Sequence, residues 1–175
     1  TVGRQLAPLL GWQLLDSDAE IEREIGHSIR SHFEQYGEDS FRALEEAMIA
    51  KLAALPGVVL ATGGGAILRE SNRQALRGPG NTVVYLRASV DDLVRRLRHD
   101  TQRPLLQDVD PAVRLRQLFA QRDPLYRAVA DHVVDTGRSS VSAIAHLLAM
   151  QLELGAPAAA ASDQNLHPGD ATDSA

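Results

Sequence analysis

The chain has 175 residues, 44% of them hydrophobic, and a formal net charge of -5. That length supports one domain with a sizeable core, and the composition excludes a chain disordered throughout. The acidic balance argues against a dedicated nucleic-acid binder, no apolar run is long enough to span a bilayer, and the lack of cysteine excludes disulfides, thiolate metal sites and a cysteine nucleophile.

Residues 1–10 carry Val2, Leu6, Leu9 and Leu10 roughly on one face of a predicted helix, which Gly11 stops. Trp12-Gln13-Leu14-Leu15 reads as a short strand running into Asp16-Ser17-Asp18. An acidic helix over 19–25 ends at Gly26. Ser28 is placed to cap a helix over 29–36, which Gly37 ends. Another helix covers 40–55, with Phe41, Leu44, Met48 and Leu52 at helical spacing, and Pro56-Gly57 breaks it. Val58-Val59-Leu60-Ala61 is a buried-strand run leading into Thr62-Gly63-Gly64-Gly65. A helix over 70–76 and a strand over 82–86 follow. Ser89 caps a helix over 90–98.

The segment 99–109 is polar, aperiodic and contains Arg103-Pro104, so it reads as a mobile loop. Asp110-Pro111 and Asp123-Pro124 each set a capping residue before proline, which predicts two helix starts. His132-Val133-Val134-Asp135 is the last strand, and an amphipathic helix runs over 141–152. From Gly155 the chain turns alanine-rich and polar. The expected domain is therefore 1–152, and 153–175 is expected to be a disordered tail. Trp12 and Tyr85 are expected in the core.

Four strands alternating with helices predict an α/β fold, with a parallel sheet covered by helices on both faces. Ligands in such folds sit at the carboxyl ends of the strands. Here those ends carry Asp16-Ser17-Asp18, Thr62-Gly63-Gly64-Gly65 and Thr136-Gly137-Arg138.

Asp16 and Asp18 flank Ser17 just past a strand. Two close carboxylates can support Mg²⁺ or accept a hydroxyl proton; the competing reading is that Asp16 or Ser17 merely caps the next helix. Gly63, Gly64 and Gly65 would let a ligand approach bare backbone N–H groups, and three consecutive glycines cost more unfolded-state entropy than a plain turn requires. Arg42 offers a bidentate fork to an anion, or else forms a surface ion pair with Glu45 or Glu46. Arg103 suits a lid over phosphates, or a solvated loop. Arg122, read at a helix start, opposes the helix dipole, which hints at a ligand. Lys51 is the one lysine and follows Ala50 inside a helix, so it is not the lysine of a phosphate loop. The histidines show no metal-ligand spacing, and no G-x-S-x-G elbow is present.

The segments T-V-G-R-Q-L-A at 1–7, D-S-D-A-E-I-E at 16–22, F-R-x-x-E-E at 41–46, L-A-T-G-G-G at 60–65, V-V-Y-L at 83–86, R-P-L-L at 103–106 and R-D-P-L-Y at 122–126, in this order, resemble the shikimate kinases. The resemblance covers about residues 1–152. It implies a three-layer P-loop kinase fold of the nucleoside-monophosphate-kinase type. The implied activity is phosphorylation of the 3-hydroxyl of shikimate from ATP with Mg²⁺, on the route to chorismate and the aromatic amino acids, by a cytoplasmic monomer without nucleic-acid or membrane partners.

By resemblance, Asp18 would hold shikimate hydroxyls and orient or deprotonate the attacking one, and Asp16 would support Mg²⁺ through water. Arg42 and Arg122 would grip the shikimate carboxylate, with Gly63, Gly64 and Gly65 offering backbone. Arg103 would close onto the ATP phosphates, and the base would lie near Arg138 and Ser139. The family's phosphate loop, G-x-x-G-x-G-K-S/T, would fall before Thr1, with about 15–20 residues of strand and loop. The direct Mg²⁺ ligand would lie there too. Little kinase activity is then expected of the chain as it stands. The absent strand is expected between those at 12–15 and 58–61 or close to them, and its loss is expected to leave unpaired edges and low stability. Two other readings are a related kinase of the gluconate type and a non-catalytic ligand-binding module.

Overall fold

A computed structural model describes residues 1–97, 110–137 and 139–155. Helix α1, Val2–Leu10, ends where Gly11 turns left-handed at φ 65°. That turn lets Trp12 N–H reach back to Ala7 O at 2.9 Å and delivers the chain into strand β1, Gln13–Asp16. Helices α2 (Ser17–Ile25) and α3 (Ile29–Ala53) follow, and strand β2 (Val58–Ala61) then pairs parallel with β1. The register sets Asp16 opposite Ala61, so the polar segment after β1 and the glycines after β2 leave the sheet side by side.

The second half repeats this plan. After a 3₁₀ turn over Ala66–Leu68 and helix α4 (Glu70–Leu76), strand β3 (Val84–Arg87) pairs parallel with β4 (His132–Asp135). Between them lie α5 (Val90–Leu97) and α6 (Pro111–Val129). All pairing among the described residues is parallel, as the alternation of elements predicts. The strands form two separate pairs. Because β1 and β2 pair directly, the additional strand anticipated near them does not lie between these two.

Two apolar clusters hold the layers. Val2 and Leu6 of α1 pack with Ile144, Ala145, Leu148 and Ala149 of the last helix, α7 (Val141–Gly155). Val59 of β2, Val84 of β3 and Val134 of β4 rest on this cluster, so α1 and α7 span both strand pairs. Ile21, Phe41, Met48 and Leu52 form the second cluster, against Leu15 and Leu60, and fix α2 and α3 to the first pair. Each Val, Leu, Ile, Phe or Met side chain so taken from water stabilises the fold by about 1.5–3 kcal/mol.

Several local expectations need correction. The break predicted at Gly37 is not among them: its φ of 80° and ψ of 176° leave the helical region and divide α3 into two helical stretches, the second ending at Ala53 and not at 55. His32 Nε2 meets Ser40 Oγ at 2.9 Å across that kink. Asp110 does cap α6, through a 2.9 Å bond from Ala112 N–H. Asp123-Pro124 does not begin a helix: Pro124 lies inside α6. Proline there removes one helical donor, a cost that the tertiary contacts of its neighbours offset. Helix α7 runs to Gly155, three residues past the predicted end of the domain. Trp12, expected in the core, is 45% exposed. The predicted loop over 99–109 with Arg103, and Arg138, lie outside the described residues. So does the predicted tail from 156 onward.

Candidate functional site

The site begins where β1 becomes α2. Asp16 caps α2, its Oδ1 accepting from Asp18 N–H at 3.0 Å and Ala19 N–H at 3.2 Å. The capping reading of Asp16 is therefore correct, and the cap fixes the direction in which Asp18 leaves the first helical turn. Asp18 is half-buried, and its Oδ1 is buried with no hydrogen-bond partner among the described residues. Burial pushes its pKa up from the ordinary value. The charges of Asp16, Glu45 and Glu22 push the same way, and only Arg42 pulls it back. The carboxyl is thereby a better proton acceptor than an exposed aspartate.

Gly63, Gly64 and Gly65 each face one charged side chain. A Cβ built on Gly63 would stand 2.8 Å from Asp18 Oδ1. One on Gly64 would stand 3.3 Å from Arg122 Nη1, and one on Gly65 would collide with the guanidinium of Arg42. The triple glycine therefore clears room for three functional groups at once, as well as baring backbone.

Arg42 sits past the Gly37 kink, on the part of α3 that packs by Phe41 into the core. Its Nη1 donates to Glu45 Oε2 at 2.6 Å and its Nη2 to Glu38 Oε1 at 3.2 Å, and its guanidinium lies over the Phe41 ring at 5.3 Å. Glu45 is only 1% exposed, so the surface ion pair weighed for Arg42 is instead largely buried. Burial alone would lower the arginine's pKa; the bonds and charges of Glu45 and Glu38 outweigh it, leaving the pKa raised and the cation firmly held. Glu45 was not singled out as a site residue. Its only signal was a charged residue at a position that follows the apolar spacing of α3.

Arg122 comes from the middle of α6, so the dipole argument made for it fails. A better indicator is its Nε, buried without a partner among the described residues. One turn on, the Tyr126 hydroxyl donates to Gly64 O at 2.6 Å and ties α6 to the glycine turn. The Tyr126 ring stacks on Tyr85 of β3, with centroids 4.8 Å apart. Asp123 completes the mounting. It accepts from Tyr85 Oη at 3.0 Å, Arg87 Nε at 3.2 Å and Arg127 Nε at 2.8 Å.

A buried carboxylate oxygen and a buried guanidinium donor, both lacking partners, thus flank a bare glycine turn. The chemistry this suits is a small molecule bearing hydroxyls and a negative charge. Ser139 lies elsewhere, exposed on an open groove of about 720 Å³ with Asp92, Arg95, Asp135 and Gly137. Among the described residues no cluster of three or more His, Asp or Glu could cage a metal ion. Asp16, with Oδ1 occupied by its cap, retains one carboxylate oxygen, which suits a water-mediated contact with a cation and not chelation.

Parallel β-α-β units that bring such groups together beyond their strand ends define an α/β domain of the class that binds its small-molecule ligand there. The family model described as shikimate kinase matches residues 1–153, and the chain belongs to that family. The shikimate kinase of Cupriavidus pinatubonensis is 52% identical over 167 residues, covering 94% of this chain and 86% of its own length. That of Thiobacillus denitrificans is 51% identical over 154 residues, covering 88% and 84%. Among solved structures, shikimate kinase from Acinetobacter baumannii in complex with shikimate superposes with a TM-score of 0.79 at 44% identity, covering 87% of this chain and 84% of that one. The Bacteroides thetaiotaomicron shikimate kinase gives 0.77 at 29% identity, with 87% and 90% covered. The fold is accordingly the α/β P-loop kinase fold of this family.

Proposed function

We propose that this chain acts on shikimate, transferring the γ-phosphoryl group of ATP to its 3-hydroxyl to give shikimate 3-phosphate and ADP. The observation that carries the reading is the convergence of Asp18, Arg42 and Arg122 on three successive glycines. Two guanidiniums can hold the substrate carboxylate from two sides, which fixes the ring. Arg42, braced by Glu45 and Glu38, presents its donors in a set plane, while Arg122 brings an unsatisfied donor.

Asp18 is then the base. Its raised pKa favours accepting the proton of the 3-hydroxyl as that oxygen bonds to the γ-phosphorus and the bond to the β,γ-bridging oxygen breaks, releasing ADP. Mg²⁺ on the nucleotide would neutralise charge on the transferred group. The remaining oxygen of Asp16 would meet the ion's water shell. Arg103 would close on the phosphates, and Arg138 with Ser139 would border the base. We further read the protein as a cytoplasmic monomer, which size-exclusion and cell fractionation test.

The experiment is a panel of hydroxy acids, shikimate and gluconate among them, measured by calorimetry and by mass-spectrometric detection of the phosphorylated product with Mg-ATP. Shikimate should bind alone among the panel, and whatever product forms, at the low rate expected of the chain as it stands, should be shikimate carrying one phosphoryl group. Selective binding of gluconate, or no discrimination, overturns the assignment.

A further inference from the structure

Tyr126 takes no direct part in the reaction just described, yet its hydroxyl makes a 2.6 Å bond to a backbone oxygen inside the site. Across a trans peptide the C=O and the next N–H point in opposite directions. Aiming Gly64 O at α6 therefore aims the Gly65 N–H away from α6, where no described residue accepts it. This peptide lies between two glycines, so rotating it is cheap. Gly65 has φ -87°; flipping the peptide would carry it to roughly +90°, which glycine tolerates and other residues do not. Two orientations are thus accessible to the bare chain, and one hydrogen bond selects between them.

We propose that Tyr126 is a positioning residue whose hydroxyl latches the Gly64–Gly65 peptide, so that the Gly65 N–H is presented to a hydroxyl or carboxylate oxygen of the acceptor substrate. This deepens the acceptor-site assignment above and rests on it. The latch is itself well mounted. The Tyr126 ring is stacked on Tyr85, and Tyr85 is held by Asp123, so the hydroxyl has little freedom to wander. Burial raises the phenol's pKa, with Arg122 opposing, so the group remains a donor through neutral pH.

The test is Tyr126→Phe, which removes the hydroxyl and keeps the ring stack. Nuclear magnetic resonance of the free chain should show the Gly64 carbonyl carbon shifted and the Gly65 amide broadened by exchange between two orientations. Calorimetry should show shikimate binding weakened about fivefold, the range for one lost hydrogen bond. Tyr85→Phe is the comparison: it loosens the same stack without removing the latch, and should leave Gly65 unbroadened. Unchanged Gly64 and Gly65 resonances in Tyr126→Phe, equal broadening in Tyr85→Phe, or shifted resonances with unaltered shikimate affinity each overturn the latch. If the native chain binds no shikimate, the acceptor-site assignment fails, and the free-chain resonances alone then decide whether the latch exists.

Discussion

Replacing Gly65 by alanine is the sharpest perturbation of this site. The new methyl would lie 2.7 Å from Arg42 Cζ and closer still to its Nη1, so the guanidinium must retreat by roughly 1 Å to restore ordinary contact. A free arginine would simply swing away. Arg42 is bonded to Glu45 and Glu38 and is itself only 13% exposed, so retreat strains or breaks the Glu45 bond. Glu45 would then be a buried carboxylate with a weakened partner. A charge-assisted bond contributes about 1.5–3 kcal/mol, and uncovering a buried partner raises the loss to about 3 kcal/mol or more. Alanine at a φ of -87° recovers up to about 1 kcal/mol by restricting the unfolded chain. The net loss is about 2 kcal/mol, or a fall in melting temperature of about 4–8 °C for a domain of this size. Shikimate affinity should fall about tenfold or more, because one carboxylate grip is displaced. Thermal denaturation followed by circular dichroism, with calorimetry on the same samples, measures both. Gly63→Ala is the informative partner. Its Cβ presses on Asp18 Oδ1, which has no hydrogen bond to lose, so stability should change by less than about 1 kcal/mol while turnover drops. A Gly65→Ala chain that melts with the native protein and binds shikimate equally well would refute the claim that Arg42 is pinned.

Asp18→Asn should lower phosphoryl transfer about 10²-fold or more, measured by product formation. It should also leave the chain at least as stable as the native one at pH 7. A carboxyl whose pKa is raised on folding contributes stability at low pH that is lost as pH rises through the folded value, so removing the charge relieves that penalty. Asp123→Asn should act in the opposite sense. Burial favours the neutral acid there, but bonds from Arg127, Tyr85 and Arg87 outweigh it and hold the pKa lowered. The stability this gives is present at neutral pH and fades as pH falls through the folded value. The variant should therefore lose about 2 kcal/mol at pH 7 and converge with the native chain in acid, which denaturant titration at several pH values checks. Arg122→Lys should weaken shikimate binding about tenfold in calorimetry, while stability falls by no more than the roughly 1 kcal/mol of its one bond to the Tyr126 hydroxyl, because the Arg122 Nε holds nothing in the free protein.

Much of this was legible because the local rules act on short segments. Gly11, Gly26 and Gly37 all take positive φ at the three predicted helix stops, and β2 and β4 fall on the predicted runs. Asp16, Asp18 and the three glycines could be placed at strand ends because parallel α/β folds put ligands there. What failed involved partners distant in the chain. Asp123-Pro124 looked like a helix start because each residue suits that role locally. The bonds from Tyr85 and Arg87, more than 35 positions earlier, give Asp123 a different use, and no pattern in the sequence announces them. The pairing of each glycine with one charged group was equally hidden, since Arg42 and Gly65 meet only after α3 has turned at Gly37. Trp12 was assigned by residue type alone, which a residue in the connection between α1 and β1 need not obey.

The division of the strands into two pairs has a mechanical consequence. No described backbone ladder carries tension from β2 to β3, so the halves are coupled through helix packing and side chains: the α1–α7 contact, the Arg69–Glu46 and Asn81–Ala53 bonds between the α4 region and α3, and the Tyr126 hydroxyl. A molecule arranged this way should open by subunits of its own fold. In native-state hydrogen exchange the amides of β1 and β2 should then share one opening free energy and those of β3 and β4 another. A substrate gripped by Asp18 and Arg42 from one half and Arg122 from the other would be the clasp that brings the two values together.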